Sequence, residues 1–232
     1  FVEKGIFAEK TITKVLEEGE YSSAVLQKVL VNYQYLEKQE RAFLTRLVEG
    51  TVERKLTLEY FINHVSKTPV NKMKPVIRCI MRMSAYQIFY MDSVPDSAAC
   101  NEGVKLAQKK GFQTLKGFVN GVLRNLSRQK DSIPMPDGKK EPVKWLSVQY
   151  SIPEWLVEKI SKDYGTEQAE KMFASLYENV GATTIRVNNS KISTEECAEL
   201  LRKEGVHVEK AAYVENALEI SGYDSLQFLE SF

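Results

Sequence analysis

Lys116, Asn120, Arg124 and Arg128 recur at i, i+4, i+8 and i+12, a spacing that stacks polar side chains along one face of a helix. Guanidinium groups grip phosphate oxygens in bidentate geometry, and ammonium groups neutralise them as point charges. The chemistry this row offers is therefore the binding of an anion. Seven basic residues, Lys105, Lys109, Lys110, Lys116, Arg124, Arg128 and Lys130, fall between positions 105 and 130 with no Asp or Glu among them. Val119, Val122, Leu123 and Leu126 mark a second face of the same segment at i, i+3, i+4 and i+7, the pattern of a helix docked on a core. A helix anchored on one side and basic on the other suits a polyanion, with Arg124 and Arg128 its best phosphate ligands. Contacts of this kind position a nucleic acid without reading its sequence. Farther along, Arg186 and Asn188 flank Val187 with the alternation of a strand, which points both to one side. Two readings of that pair stay open, a contact with RNA or a neighbouring domain and a local salt bridge.

No comparable constellation supports catalysis. No two glycines are spaced as G-x-G, and neither G-x-x-x-x-G-K-[ST], G-x-S-x-G nor H-E-x-x-H occurs. His64 and His207 lie in different halves of the chain. Cys79, Cys100 and Cys197 are odd in number, widely spaced and outside any C-x-x-C, and none follows a proline. Cys79 falls beside the apolar stripe of its helix and reads as a small buried hydrophobe. Catalytic residues and a metal site are expected to be absent, and a reducing cytoplasm fits the cysteine usage. No apolar run approaches the roughly 20 residues of a membrane span, and no signal peptide is visible at Phe1.

The segments that must position the basic row read as helix after helix. Ile12, Val15 and Leu16 mark a helix ending near Gly19, and Ser22 or Ser23 starts a second. Gln39 to Val65 holds two helices broken around Arg54 to Thr57. Asn71 precedes an apolar helix, Asp96 is expected to cap the helix over 97–110, and Gly111 closes it. Gly117 and Gly121 are expected to allow close helix approach, and Asn101 and Glu102 to brace the bundle through Arg78 or Arg82. Pro134, Pro136, Gly138 and Pro142 make 131–142 a linker. The composition changes sign there: residues 1–130 hold 21 Lys+Arg against 13 Asp+Glu, residues 131–232 hold 11 against 18. The net charges of +8 and −7 leave only the first part attractive to phosphate at long range. Beyond the linker, helices over 143–149, 153–164 and 166–178 lead to a β-branched strand at Thr183 to Val187. A helix follows from a Ser193-Thr194-Glu195-Glu196 capping box, then strands over 206–208 and 217–220. The fold class is mainly α: a helical domain over 1–130 and, after the linker, a small α+β domain over 143–232.

Four segments together resemble the NusB-like RNA-binding fold: Leu47 to Val52, Ile77 to Tyr90, Val94 to Ala107, and Gly117 to Arg124. Free NusB usually carries an acidic residue where Arg124 stands. The Val122 to Arg128 ending is instead similar to the NusB domain fused to bacterial 16S rRNA cytosine-C5 methyltransferases of the RsmB, or Sun, family. Tyr150 to Leu156, Tyr164-Gly165, Thr184 to Asn188 and Ser193 to Gly205 resemble that family's connector, and Ala217 to Ile220 the approach to its catalytic domain. The resemblance implies a 16S rRNA partner and a methyltransferase domain expected after Phe232. That domain would carry S-adenosylmethionine and the Pro-Cys nucleophile, leaving no cofactor on this chain. The alternative is a NusB-type transcription antitermination factor. The start departs from the NusB pattern, since Phe1 to Lys14 holds only Lys4, Lys10 and Lys14 in place of an Arg-rich segment.

Overall fold

A computed structural model describes residues 2–32, 36–178, 182–223, 226 and 229–231. The chain forms two compact units, Phe1–Ala174 and Ser175–Phe232. In the first, α1 (Val2–Leu16), α2 (Ser22–Asn32), α3 (Lys38–Glu53), α4 (Lys55–Val65), α5 (Pro75–Tyr90), α6 (Asp96–Lys109) and α7 (Lys116–Gln129) make a helical bundle. Local signals set most of its boundaries. Gly19 and Gly111 take positive φ after α1 and α6, a conformation that glycine adopts without a Cβ penalty. Glu37 and Glu40 form a capping box at α3, and Pro75 opens α5 with its φ already set for a helix.

The central element is α5, which packs on α1, α3, α4, α6 and α7. Its run Cys79 to Ile88 is buried throughout, with Ile77 beside it. Two glycines bring neighbours close: a Cβ on Gly50 of α3 would fall 2.1 Å from the Tyr86 ring, and one on Gly103 of α6 would fall 2.6 Å from Ser84 Oγ and 2.8 Å from Leu123 Cδ1. Arg82, only 5% exposed, is held by Glu17 in the turn after α1 and by Glu59 of α4, and Arg78 also pairs with Glu17. The bracing carboxylates of this pair are therefore Glu17 and Glu59, and Asn101 and Glu102 turn to other partners.

Two boundaries differ from expectation. The helix after Asn71 begins at Pro75, because Val70–Lys72 forms a separate 3-10 turn tied to α4 by Val70 N–H donating to Asn63 Oδ1 at 2.8 Å. Asp96 is the first helical residue and gives no cap; Ser127 Oγ donates to its Oδ2 at 3.0 Å and Lys130 Nζ sits 3.3 Å away.

The first unit also runs past the proline-rich segment at which composition divides the chain. Tyr60 Oη donates to Pro134 O at 2.8 Å, Ile133 packs on the bundle core, and Pro136 is buried. Then α8 (Pro142–Tyr150), α9 (Glu154–Tyr164) and α10 (Thr166–Ser175) enclose a satellite core of Leu146, Val157, Ala169 and Phe173. The end of α8 locks onto α4: Thr57 Oγ1 donates to Val148 O at 2.5 Å, and Leu56 N–H to Ser151 Oγ at 2.9 Å.

In the second unit, β1 (Thr183–Arg186), α11 (Thr194–Lys203), β2 (His207–Lys210) and β3 (Ala217–Ser221) form a three-stranded sheet in the order β1-β3-β2. Both outer strands run antiparallel to β3, so β1 and β2 are parallel with β3 between them, a split β-α-β arrangement. The apolar run Ala217, Leu218 and Ile220 suits that central place. Val208, Leu218 and Ile220 meet Cys197, Ala198 and Leu201 of α11 in one core. The Ser193–Glu196 capping box starts α11 as its sequence predicts.

Candidate nucleic-acid interface

Two consecutive helices, α6 and α7, present the basic row. They pack as an antiparallel hairpin, with Asp96 beside Ser127 and Asn101 beside Arg124. Val119, Val122, Leu123 and Leu126 are buried as the periodicity requires. The opposite side exposes Lys116, Gly117, Asn120, Gly121 and Arg128, with Arg124 half-buried. On α6, Asn101, Lys105 and Lys109 are exposed at i, i+4 and i+8. Arg124 Nη2 donates to Asn101 Oδ1 at 2.9 Å, which holds the guanidinium across the seam without neutralising it.

The structure thins the row of cations. Lys110 is turned inward onto Glu9 of α1, a carboxylate only 2% exposed. Lys130 pairs with Asp96 at 3.3 Å, and Lys105 with Glu102 at 2.7 Å. Lys109, Lys116, Arg124 and Arg128 have no ion pair among the described residues. The absence of acids between positions 105 and 130 therefore overstates the charge, because Glu9, Asp96 and Glu102 all lie outside that window. Glu102 alone could be anticipated, from its i,i+3 spacing to Lys105.

Gly117 and Gly121 do not serve close helix packing: nothing lies within 4 Å of a Cβ built on either. With Arg124 and Arg128 they occupy i, i+4, i+7 and i+11, one stripe of α7. This stripe places two stretches of uncovered helix backbone beside two guanidinium groups. A phosphate chain can lie flush there, where any larger side chain would hold it away. The i+4 glycine spacing within the basic row was the sequence signal for this.

In the second unit, Arg186 is exposed at the end of β1 and pairs in register with Ala217. Val187 is buried between exposed Arg186 and Asn188, as the alternation predicts. The strand ends at Arg186, however, and Asn188 begins a turn, its Oδ1 accepting from Ser190 N–H at 3.2 Å and Ser190 Oγ at 2.7 Å. No salt bridge holds Arg186 among the described residues.

All three cysteines are buried. Burial pushes the Cys79 thiol up to about 12 and raises those of Cys100 and Cys197, so none is an available thiolate near neutral pH. Among the described residues there is no cluster of three metal-ligating side chains, and no helix is long and apolar enough to cross a membrane.

Comparison with known proteins places these features in a family context. The NusB family model matches residues 6–128, and that of the RsmF/B-like methyltransferase ferredoxin-like domain matches residues 152–226. A Bacillus subtilis protein named probable ribosomal RNA small subunit methyltransferase B is 35% identical over 205 residues, covering 88% of this chain and 45% of that protein. A Synechocystis sp. protein of the same name is 32% identical over 206 residues, covering 87% and 44%. The chain thus spans about half the length of these curated relatives. Among solved structures, PH0851 aligns with a TM-score of 0.72 at 19% identity, over 99% of this chain and 51% of that one. T. maritima NusB aligns with a TM-score of 0.50 at 18% identity, over 55% of this chain and 90% of that one. Both show likeness of fold.

Proposed function

The chain belongs to the NusB family, and from that premise we propose that it is the RNA-binding, substrate-positioning part of an S-adenosylmethionine-dependent 16S rRNA cytosine-C5 methyltransferase. The observation that carries this reading is the α7 stripe, where Arg124 and Arg128 stand beside the bare backbone of Gly117 and Gly121. Lys109 and Lys116 extend it across the α6–α7 hairpin. Phosphates of the RNA lie along this stripe, bidentate on the guanidinium groups, and the RNA is thereby held in register for modification elsewhere. Lys105 and Lys130 act at the rim through charge already shared with carboxylates, and Lys110 supports the bundle through Glu9.

Cytosine-C5 chemistry and S-adenosylmethionine do not fit the residues present. The cysteines are buried, and no glycine-rich loop follows a strand. We assign both to the remaining part of the relatives' length, with no catalytic step on this chain. An rRNA substrate places the protein in the cytoplasm. The ferredoxin-like domain supports a methyltransferase role over a free antitermination factor, because T. maritima NusB aligns with only 55% of this chain.

The test is RNA binding across a salt titration, with a 16S rRNA helix fragment, for the parent and for Arg124→Glu/Arg128→Glu. The double variant should bind more weakly, and the slope of log K against log salt should fall by about 1.4 to 1.8 for two lost phosphate contacts. Unchanged affinity with an unchanged slope would sink the role given to the stripe.

A further inference from the structure

The α6–α7 face leaves unexplained an exposed ring in the second unit. Residues 211–216 join β2 to β3, and Tyr213 within that loop is 98% exposed, with Val214 beside it at 48%. An aromatic ring left almost wholly in water contributes nothing to the core, and both its faces are open to a stacking partner. The loop is nonetheless built. Ala211 N–H donates to Ala217 O, and Ala217 N–H to Val214 O, each at 3.1 Å. Val187 N–H donates to Asn216 O at 2.8 Å, and Asn216 Nδ2 donates back to Val187 O at 3.4 Å. This clamp holds the loop against the segment that follows β1.

Arg186 precedes the clamp by one residue and Asn188 follows it by one. Asn188 uses its Oδ1 on Ser190, so its amide N–H groups are left as donors. Its turn closes with Lys191 N–H donating to Asn188 O at 2.9 Å. Neither Arg186 nor Lys191 has an ion pair among the described residues. Glu215 lies in the same loop and Glu219 stands diagonally across β3 from Arg186, and neither carboxylate forms an ion pair with Arg186 or Lys191 among the described residues.

We propose that this end of the sheet is a stacking platform for an unpaired base of single-stranded RNA. The base stacks on Tyr213, flanking phosphates meet Arg186 and Lys191, and Asn188 donates to a base edge or sugar. The proposal rests on the RNA-binding reading above and adds a second contact in a different unit. RNA fits better than a protein partner because the apolar surface is so small. A protein interface buries roughly 800 Å² per partner around an apolar centre, and here only Tyr213 and Val214 would supply one. A base needs one flat ring with cationic groups nearby. Paired RNA keeps its base faces stacked internally and gains nothing from the ring.

The experiment measures, by fluorescence anisotropy on the 232-residue chain, the binding of a short unpaired oligoribonucleotide and of a fully paired duplex. Tyr213→Ala should weaken binding of the unpaired RNA by roughly 5- to 100-fold, the range of base–aromatic stacking. Tyr213→Phe keeps the ring and should stay within about twofold of the parent. Duplex affinity should be the same for all three proteins. Arg186→Ala should lower the salt slope for unpaired RNA by about 0.7. Because Tyr213 is almost wholly exposed, the alanine variant should retain the parent's circular dichroism and melting. Equal affinity of the parent and Tyr213→Ala for unpaired RNA would overturn the platform, as would equal losses in the Ala and Phe variants. If the Arg124/Arg128 double variant still loses binding in that case, the function proposed above stands without the platform. A parent that binds neither RNA at low salt removes both.

Discussion

Gly50 and Gly117 are both helical glycines, and their surroundings give them opposite consequences. A Cβ at Gly50 would enter the Tyr86 ring, whereas one at Gly117 would meet open space. We expect Gly50→Ala to cost about 1–3 kcal/mol in urea denaturation, since α3 or Tyr86 must shift to relieve the overlap. Gly117→Ala should instead stabilise the helix by up to about 1 kcal/mol while weakening RNA binding, because its methyl covers the backbone beside Arg124 and Arg128. Destabilisation by Gly117→Ala, or affinity equal to the parent's, would count against the bare-backbone stripe. Residue type and spacing exposed the basic row, yet an alanine-sized gap at one glycine and a clash at another have the same one-letter appearance. Only the neighbouring chain distinguishes them.

At the scale of elements, the charged contacts of α5 couple its buried face to the turn that ends α1 and to α4. Burial alone would raise the Glu17 carboxyl, but hydrogen bonds from Arg78 and Arg82 hold it below the ordinary carboxylate range. With a lowered folded-state value, the unfolded chain takes up the proton first on acidification. The stability Glu17 contributes is therefore present above roughly pH 4.3 and is lost as pH falls through its folded value. Glu17→Gln should cost about 3 kcal/mol near neutral pH, because it leaves Arg82 buried with one carboxylate fewer. Its melting temperature should also fall less steeply than the parent's on acidification below that range. Parallel profiles for the two proteins would show that Glu17 is not the titrating group. Helix positions along α1 and α5 follow from their own periodicity. The choice of Glu17 and Glu59 as partners does not, since both lie far from Arg82 in sequence.

For the molecule as a whole, the division of charge survives the redrawn boundary. Residues 1–174 hold 27 Lys+Arg against 21 Asp+Glu, and residues 175–232 hold 5 against 10, net charges of +6 and −5. The long-range attraction for phosphate thus belongs to the unit that contains α7. That unit includes α8 to α10, so a fragment ending at Lys130 should melt at a lower temperature than one ending at Ala174. It loses the hydrogen bonds from Thr57 and Leu56 and exposes the side of α4 that α8 covers. Equal melting temperatures would mean that α8 adds nothing to the bundle. Composition marks 131–142 as a connection, and the backbone is irregular over 131–141 before α8 starts at Pro142. Its docking through Ile133, Pro134 and Pro136 depends on Tyr60 and the bundle surface, which no local pattern encodes.

Helices, strands and the capping box of α11 were readable along the chain because each rests on forces acting within a few residues. The 3.6-residue apolar period of α7, the Ser193–Glu196 box and the β-branched run at β1 all correspond to observed elements. The same locality explains why the two faces of α7 were apparent before any fold was known. Tertiary structure decided which of the basic groups are free to meet a ligand. Lys110 and Lys116 are equivalent as letters in one basic run, but packing of α1 against α6 brings Glu9 to the first and leaves the second in solvent. A charge is neutralised by whatever lies within a few ångströms, and that neighbour is set by how distant helices pack.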